Sequence, residues 1–231
     1  MPVYRDIQYT LTRSDRRKTA SIYIERDGSV SVRVPDHLTD DEVEALIERK
    51  RYWIYKHLAE WRQLNAAQIE REYVNGEGFL YLGRSFRLQW VDDQRLPLML
   101  KGGYFLLRRD PKTQADPDAA FKDFYREKGR EKIPQRVAIF APQLGVQVND
   151  IRVMDLKHRW ASYSARTGNI NFHWRCMMAP LTVLDYIVVH ELAHVLVPDH
   201  SPAFWSEVDK ILPDYRERQR WLREHGAGMD L

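Results

Sequence analysis

Cysteine is nearly absent from this 231-residue chain, and long hydrophobic runs are absent altogether. The single cysteine, Cys176, cannot form an internal disulfide, which excludes a disulfide-stapled secreted scaffold and every zinc finger built on two or four cysteines. No apolar stretch is long enough to span a bilayer, and residues 1–6 lack the basic and apolar layout of a signal peptide. We therefore expect a cytoplasmic protein that has no membrane partner.

Glycine and proline are also scarce, with 11 of each, and no internal repeat or low-complexity segment is visible. The chain is therefore neither collagen-like nor a flexible linker. Apolar residues make up 44% of the sequence, which is enough for one substantial core or two small ones. Neither sign of charge dominates, because 36 basic and 33 acidic residues leave a net charge of +3. This balance alone does not indicate a nucleic-acid partner.

The first half of the chain has the alternation of β-strands around one amphipathic helix. Strand-like runs occur at 6–12, 20–25, 29–34, 78–82, 85–91, 96–100 and 104–108. Asp27-Gly28 is a hairpin signal between the second and third runs. Thr39 and Glu42 form a capping box that predicts the start of a long helix over about 40–64.

Helical periodicity dominates the second half. Residues 110–118 carry two prolines and no large apolar side chain, so we place a domain boundary between residues 110 and 111. Beyond it the pattern predicts strands at 151–156 and 169–174, and helices at 119–144, 181–196, 202–211 and 214–224. The predicted fold class is α+β, with a β-rich half at 1–110 and a helical half at 111–231 that contains a small mixed or antiparallel sheet. We expect the two halves to form one compact unit.

One predicted helix carries the pattern His190-Glu191-Leu192-Ala193-His194. Residues four apart lie on one helix face, so His190 and His194 can each present a ring nitrogen to one metal ion at roughly 2.0–2.1 Å. Glu191 lies about 100° further round, where its carboxylate can reach a water beside the metal and act as a general base. The apolar residues before the motif indicate a buried helix, in which these polar groups are costly unless they share a partner.

A third metal ligand is expected at His200. Pro198 disfavours helical geometry at the preceding residue and cannot donate the next helical hydrogen bond, so the helix should end there. Ser201-Pro202 then begins another helix, and the turn between the two can fold His200 beneath the helix end. Three histidines leave a fourth position open, which is typical of catalytic rather than structural zinc.

With these motifs the chain resembles the YgjP-like metallopeptidase domain family of zinc-dependent hydrolases, which is related to the SprT-like and WLM proteases. The resemblance covers nearly the whole chain and rests on Tyr81-Leu82-Gly83, Arg159-Trp160-x-Ser162, Gly168-Asn169-Ile170-Asn171, Ala179-Pro180, residues 185–189, the HExxH motif, Asp199-His200-Ser201 and Phe204-Trp205. It implies a zincin-like helical half with an HExxH active-site helix. It also implies zinc (Zn2+) held by His190, His194 and His200. Glu191 would be the catalytic base.

The chain departs from the family where the usual Trp-Gly-Ser-Cys is replaced by Trp160-Ala161-Ser162-Tyr163. The favoured function is a zinc metallopeptidase with a peptide or protein substrate. By residue type and location, the candidates for stabilising an oxyanion are Tyr163, Arg159, Tyr215 and His158. An extended peptide could also pair with the strand at 169–174.

Two other functions stay open. A metal-activated water could attack a nucleotide phosphoanhydride, although the sequence has no phosphate-binding loop of the GxxxxGKS kind. Alternatively, Cys176, His158 or His173 closes the fourth position of a structural zinc in a nucleic-acid-binding module, a reading that leaves Glu191 without a role. If His173 is not a metal ligand, we expect it on the surface of the strand at 169–174. The resemblance also relates the chain to the SprT-like and WLM proteases of DNA–protein crosslink repair, so nucleic acid stays open as a partner of an enzyme.

Overall fold

The structure is a computed structural model that describes residues 1–24, 28–65, 71–109, 116–156 and 159–231, with residues 60–65 described by their helical backbone. The chain divides into two compact units, Met1–Gln68 and Ile69–Leu231. Each unit has its own cluster of buried apolar side chains. Among the described helices, none has both the length and the apolar character needed to cross a membrane.

The first unit is a four-stranded sheet followed by one long helix. Its elements are β1 (Val3–Tyr4), β2 (Ile7–Ser14), β3 (Ser21–Ile24), β4 (Val30–Pro35) and α1 (Asp40–Asn65). The strand order is β1-β2-β4-β3, with β2 and β4 parallel and both outer pairs antiparallel. Alternate residues of β4 and one stripe of α1 are buried together, as the periods of a strand and a helix require.

Local signals in this unit are confirmed. The Thr39 N–H donates to Glu42 Oε2 at 2.8 Å, and the Glu42 N–H donates to Thr39 Oγ1 at 3.3 Å, which is the reciprocal capping box. Strands β3 and β4 pair antiparallel with Ile24 opposite Val30, as the hairpin prediction requires. Asp27 of the hairpin signal itself lies outside the described residues.

The second unit opens with the same arrangement. Its first elements are β5 (Gly78–Tyr81), β6 (Arg84–Val91), β7 (Leu98–Lys101), β8 (Tyr104–Arg108) and α2 (Pro117–Leu144). The strand order is β5-β6-β8-β7, again with a parallel central pair and antiparallel outer pairs. The two units therefore share the topology of a four-stranded sheet followed by a helix, although no internal repeat is visible in the sequence.

A second sheet and three helices complete this unit. They are β9 (Ile151–Met154), β10 (Ala161–Ser164), β11 (Asn169–His173), α3 (Leu181–Leu196), α4 (Pro202–Ile211) and α5 (Tyr215–His225), with short 3-10 turns at Trp174–Met178 and Gly226–Gly228. In the sheet order β10-β11-β9, β11 pairs antiparallel with β10 and parallel with β9. The predicted α+β class is confirmed, and β10 is a strand that the sequence pattern did not predict.

The main core joins the sheet at 78–108 to the helices that follow it. Phe79 stacks on Phe121 of α2 with ring centroids 4.2 Å apart, and Phe105 meets Phe124 edge-on at 5.2 Å. Because these rings share one core, the structure divides the chain before this sheet rather than at residue 110. A proline-rich polar stretch marks a loop, but its composition does not reveal whether the flanking elements pack together. Residues 110–115 of that stretch lie outside the described residues.

Two contacts hold the N-terminal part of α3. The N–H groups of Leu82 and Gly83 donate to the carbonyls of Met177 and Met178 at 2.8 and 3.0 Å, which ties the β5–β6 turn to the segment before α3. Farther along α3, the Asp185 carboxylate accepts two hydrogen bonds from the Arg136 guanidinium of α2, at 2.6 and 2.9 Å. Helix α3 is thus held from two sides.

Candidate metal centre

The site is built where α3 ends and the chain turns back. Val197 leaves helical geometry, with φ −133° and ψ 111°, and Pro198 follows it. In the turn, the Ser201 N–H donates to Asp199 Oδ1 at 3.2 Å, and α4 begins at Pro202. The break that the proline predicts is therefore present, and it brings His200 back beside α3.

Three imidazoles converge at this turn. The Nε2 atoms of His200 and His190 are 3.0 Å apart, and one ring nitrogen from each of His190, His194 and His200 lies within 4.8 Å of the others. Two nitrogens bound tetrahedrally to one ion at roughly 2.0–2.1 Å would be about 3.3 Å apart, so this spacing fits a shared metal. Within the part of the chain that the structure describes, no other such group of three potential ligands is found.

The protonation of these rings also suits a metal. Burial lowers the pKa of His190 to about 3, and burial lowers the pKa of His194 and His200 as well, so all three are neutral near pH 7. His194 Nδ1 lies 3.2 Å from the Val197 carbonyl, and donation to that oxygen leaves the Nε2 lone pair for a ligand. His190 Nδ1 is buried without a hydrogen-bond partner among the described residues.

An apolar wall from α4 supports the three rings. Phe204 is fully buried, and its ring centroid lies 4.9, 4.5 and 4.8 Å from those of His190, His194 and His200. Trp205 lies beside His200, with centroids 5.8 Å apart. Since each imidazole packs on the same phenyl ring, the orientation of all three is coupled to the placement of α4.

Glu191 is buried on α3 next to the edge strand β10, with 6% of its surface exposed. Burial raises the pKa of its carboxyl to about 7, although the Tyr163 backbone N–H and the charge of Arg159 act in the opposite direction. A carboxyl group with this pKa can both accept and return a proton near neutral pH. Its chemistry thus differs from that of an ordinary surface glutamate.

The three histidines and Glu191 line one cavity of about 580 Å³, which we call the metal cavity. Its walls come from α3, from β10 and the residues beside it, from Pro198 in the turn, and from Leu222 of α5. Two of the residues proposed from the sequence as oxyanion donors, Arg159 and Tyr163, line this cavity. His158 lies outside the described residues.

Tyr215 is not in the lining of this cavity. Its ring is buried and stacks on Trp205, with centroids 5.2 Å apart and planes at 14°, and it lines a second, smaller cavity.

A different tyrosine, Tyr186, lines the metal cavity, and its ring meets the His190 ring edge-on with centroids 5.9 Å apart. Burial raises the pKa of Tyr186 to about 12, so its hydroxyl stays protonated. The signal that could have found it is its spacing of four residues before His190 on the same helix face.

Two expectations about single residues are changed by the structure. His173 is buried rather than on the strand surface, because its Nδ1 accepts the Arg175 N–H at 3.1 Å and begins the 3-10 turn. Cys176 is also buried, and its thiol donates to the Trp160 carbonyl at 3.2 Å. Burial raises the pKa of this thiol. Neither residue belongs to the histidine cluster, so neither closes a fourth position there.

The expected peptide-pairing strand is also corrected. Strand β11, at Asn169–His173, is the central strand of its sheet, and its two edges are already occupied by β9 and β10. Of the two edge strands, β10 is the one whose residues Ala161, Ser162 and Tyr163 line the metal cavity. A strand added at this cavity would therefore have to pair with β10.

Comparison with known proteins found two similar solved structures and one matching family model. The chain is similar to the metallopeptidase zymogen abylysin of Pyrococcus abyssi, with 27% identity and a TM-score of 0.38 over 42% of this chain and 98% of that chain. It is also similar to the metallopeptidase zymogen jannalysin of Methanocaldococcus jannaschii, with 21% identity and a TM-score of 0.36 over 38% of this chain and 91% of that chain. No curated protein sequence matches the chain significantly. The family model described as YgjP-like, metallopeptidase domain, matches residues 18–225, and the chain therefore belongs to the YgjP-like metallopeptidase domain family.

Proposed function

We propose that this protein is a zinc-dependent metallopeptidase in which His190, His194 and His200 hold the metal. The observation that carries the proposal is the convergence of three neutral imidazoles beside a buried glutamate on the wall of one cavity. Membership of a metallopeptidase family supports a divalent metal and a peptide or protein substrate. In this proposal the helical part of the second unit is zincin-like, with α3 as its active-site helix.

The donor set favours a transition metal, and membership of a metallopeptidase family favours zinc among these. Three imidazole nitrogens suit zinc better than magnesium or calcium, which prefer oxygen ligands. None of the described residues adds a fourth protein ligand, which favours a catalytic over a structural site. When bound, zinc would supply Lewis acidity toward a substrate carbonyl and lower the pKa of water.

Glu191 is the proposed general base. Its carboxylate takes a proton from the attacking water and later returns that proton to the leaving amine. The carboxylate accepts a hydrogen bond from the Tyr163 backbone N–H, and Glu191 lines the same cavity as the three histidines. The raised pKa of about 7 suits both halves of this task near neutral pH.

The substrate backbone is proposed to lie along β10. An extended peptide can pair with the free edge of this strand, which borders the metal cavity. Among the residues that line the cavity, Tyr163, Tyr186 and Arg159 carry side-chain donors that could stabilise an oxyanion. Of these, Tyr186 lies on α3 itself, one turn before the first histidine.

The Glu191→Gln variant tests this function. We expect the variant to bind as much zinc as the unmodified protein. Its kcat toward casein or fluorogenic peptides should fall about 10²- to 10⁴-fold, because the proton acceptor is gone. The matched control is Glu72→Gln, which changes an exposed glutamate. Full turnover by zinc-loaded Glu191→Gln would contradict the proposal, as would hydrolysis of nucleoside triphosphates in place of peptides.

A further inference from the structure

A second cavity of about 280 Å³ lies on α5, outside the metal cavity. It is lined by Trp205, Tyr215, Arg216, Gln219, Arg220 and Arg223, and we call it the arginine groove. The three arginines follow the spacing i, i+4 and i+7, which places them within about 60° of one another around the helix. All three are exposed.

The three guanidinium groups have no acidic partner in the part of the chain that the structure describes. Within the described residues, none of Arg216, Arg220 and Arg223 forms an ion pair, and Arg216 lies over the Tyr215 ring at 5.1 Å. Their neighbour Arg218 differs, because it donates to Asp214 Oδ2 and to the Thr182 carbonyl, each at 2.9 Å. One arginine of α5 thus anchors the helix to α3, while the other three line the groove and form no ion pair with a described residue.

The arginine groove is separated from the metal cavity by one layer of side chains. Trp205 stacks on Tyr215 at 5.2 Å and lies 5.8 Å from the His200 ring. Gln219, which lines the groove, is hydrogen-bonded to Tyr186, which lines the metal cavity. The two cavities are therefore neighbours, linked by the Tyr186–Gln219 hydrogen bond and by the stacked rings of Trp205 and Tyr215.

We propose that the arginine groove is a substrate subsite for acidic side chains, so that the preferred substrates are peptides with a cluster of Asp or Glu a few residues from the cleaved bond. Planar guanidinium groups bind carboxylates in a bidentate fashion, and charge complementarity selects an acidic rather than a neutral segment. This inference rests on the proposed peptidase function, since it concerns the same substrate as the metal site.

Matched fluorogenic peptides test the subsite. One set carries three glutamates placed at increasing distance on either side of the cleavage point, and the other carries three glutamines at the same places. At low salt we expect about tenfold higher kcat/KM for the best glutamate peptide over its glutamine counterpart. The preference should fall as salt is added and disappear in the triple variant Arg216→Gln/Arg220→Gln/Arg223→Gln. The control Arg130→Gln removes an exposed arginine on α2 and should keep the preference.

A binding experiment separates this inference from the function on which it rests. Fluorescence anisotropy with a labelled glutamate peptide and the Glu191→Gln protein requires no turnover. We expect the triple arginine change, made in the Glu191→Gln background and checked for folding by circular dichroism, to weaken binding about tenfold.

Peptide cleavage by the unmodified protein without an arginine-dependent acidic preference would overturn the subsite and leave the peptidase proposal standing. Arginine-dependent binding without any peptide cleavage would support acidic recognition and overturn the peptidase. Displacement of the peptide by much lower concentrations of single-stranded DNA of equal charge would assign the groove to nucleic acid and overturn the proposal.

Discussion

At Gly83 the backbone has a φ of +78°, and a Cβ atom on this residue would lie 2.8 Å from the Cα of Pro180. Both constraints require glycine, because other residues are strained at positive φ and the proline backbone cannot move aside cheaply. Pro180 immediately precedes α3, so this one residue sets how closely the β5–β6 turn approaches the helix that carries the histidines. The glycine of the Tyr81-Leu82-Gly83 segment is thus explained by its contact with the start of α3.

We expect Gly83→Ala to lower the free energy of unfolding by about 2–4 kcal/mol, from backbone strain and the clash with Pro180 together. Urea unfolding followed by circular dichroism measures this change. The control is Gly103→Ala, since Gly103 has a φ of +84° but no atom within 4 Å of its Cβ position. Equal losses for the two variants would show that the contact with Pro180 contributes nothing.

At the scale of elements, α3 is held against α2 by a buried ion pair. Asp185 is 7% exposed and receives two hydrogen bonds from Arg136, in the part of α3 that precedes the metal motif. A carboxylate at this depth is costly unless it is paired, because the helix around it is apolar. The pair therefore specifies which face of α3 meets α2, and with it which face is left for His190 and His194.

We expect Arg136→Met to cost about 3–5 kcal/mol of stability, since it leaves the Asp185 charge buried and alone. Chemical denaturation would measure the loss, and adding Asp185→Leu should restore part of it. The Glu207–Lys210 pair, in which the lysine is exposed, gives a control, because Lys210→Met should change stability by less than about 1 kcal/mol. A loss of that small size for Arg136→Met would mean that Asp185 is solvated.

The elements themselves were largely predictable where their signals are local. The capping box at Thr39 and the break at Pro198 depend on neighbouring residues, and both appear at the predicted positions. Strand β10 was missed because its four residues are too few for a period to be visible, and its pairing with β11 is what makes it a strand. Helix α2 continues through Pro134.

At the scale of the whole molecule, all the proposed site residues belong to the second unit. His190, His194, His200 and Glu191 lie within Ile69–Leu231, which has its own core. The first unit, Met1–Gln68, has a separate core in which β2 and β4 pack with α1. A ligand that binds the histidines should therefore stabilise mainly the folded state of the second unit.

We expect zinc to stabilise the full chain by about 2.7 kcal/mol at a free concentration one hundred times its Kd. Hydrogen exchange of the zinc-loaded and chelator-treated protein should show the gain in protection mainly within residues 69–231. The His200→Ala variant should reduce this gain, whereas His37→Ala, an exposed histidine of the first unit, should leave it unchanged. Protection gained equally in residues 1–68 would contradict the assignment of the metal to the second unit.

The sequence by itself determined the features that depend on neighbours along the chain. The spacing of His190 and His194, the position of Glu191 and the turn that returns His200 follow from helix geometry and from one proline. Only the tertiary structure decided the rest, because it depends on residues far apart in sequence. Tertiary packing places Tyr186 rather than Tyr215 in the metal cavity and makes β10 rather than β11 the edge strand that borders it. It also places the arginine groove of α5 against Trp205, which contacts His200, since the position of one helix against another is determined by packing and not by the period within either.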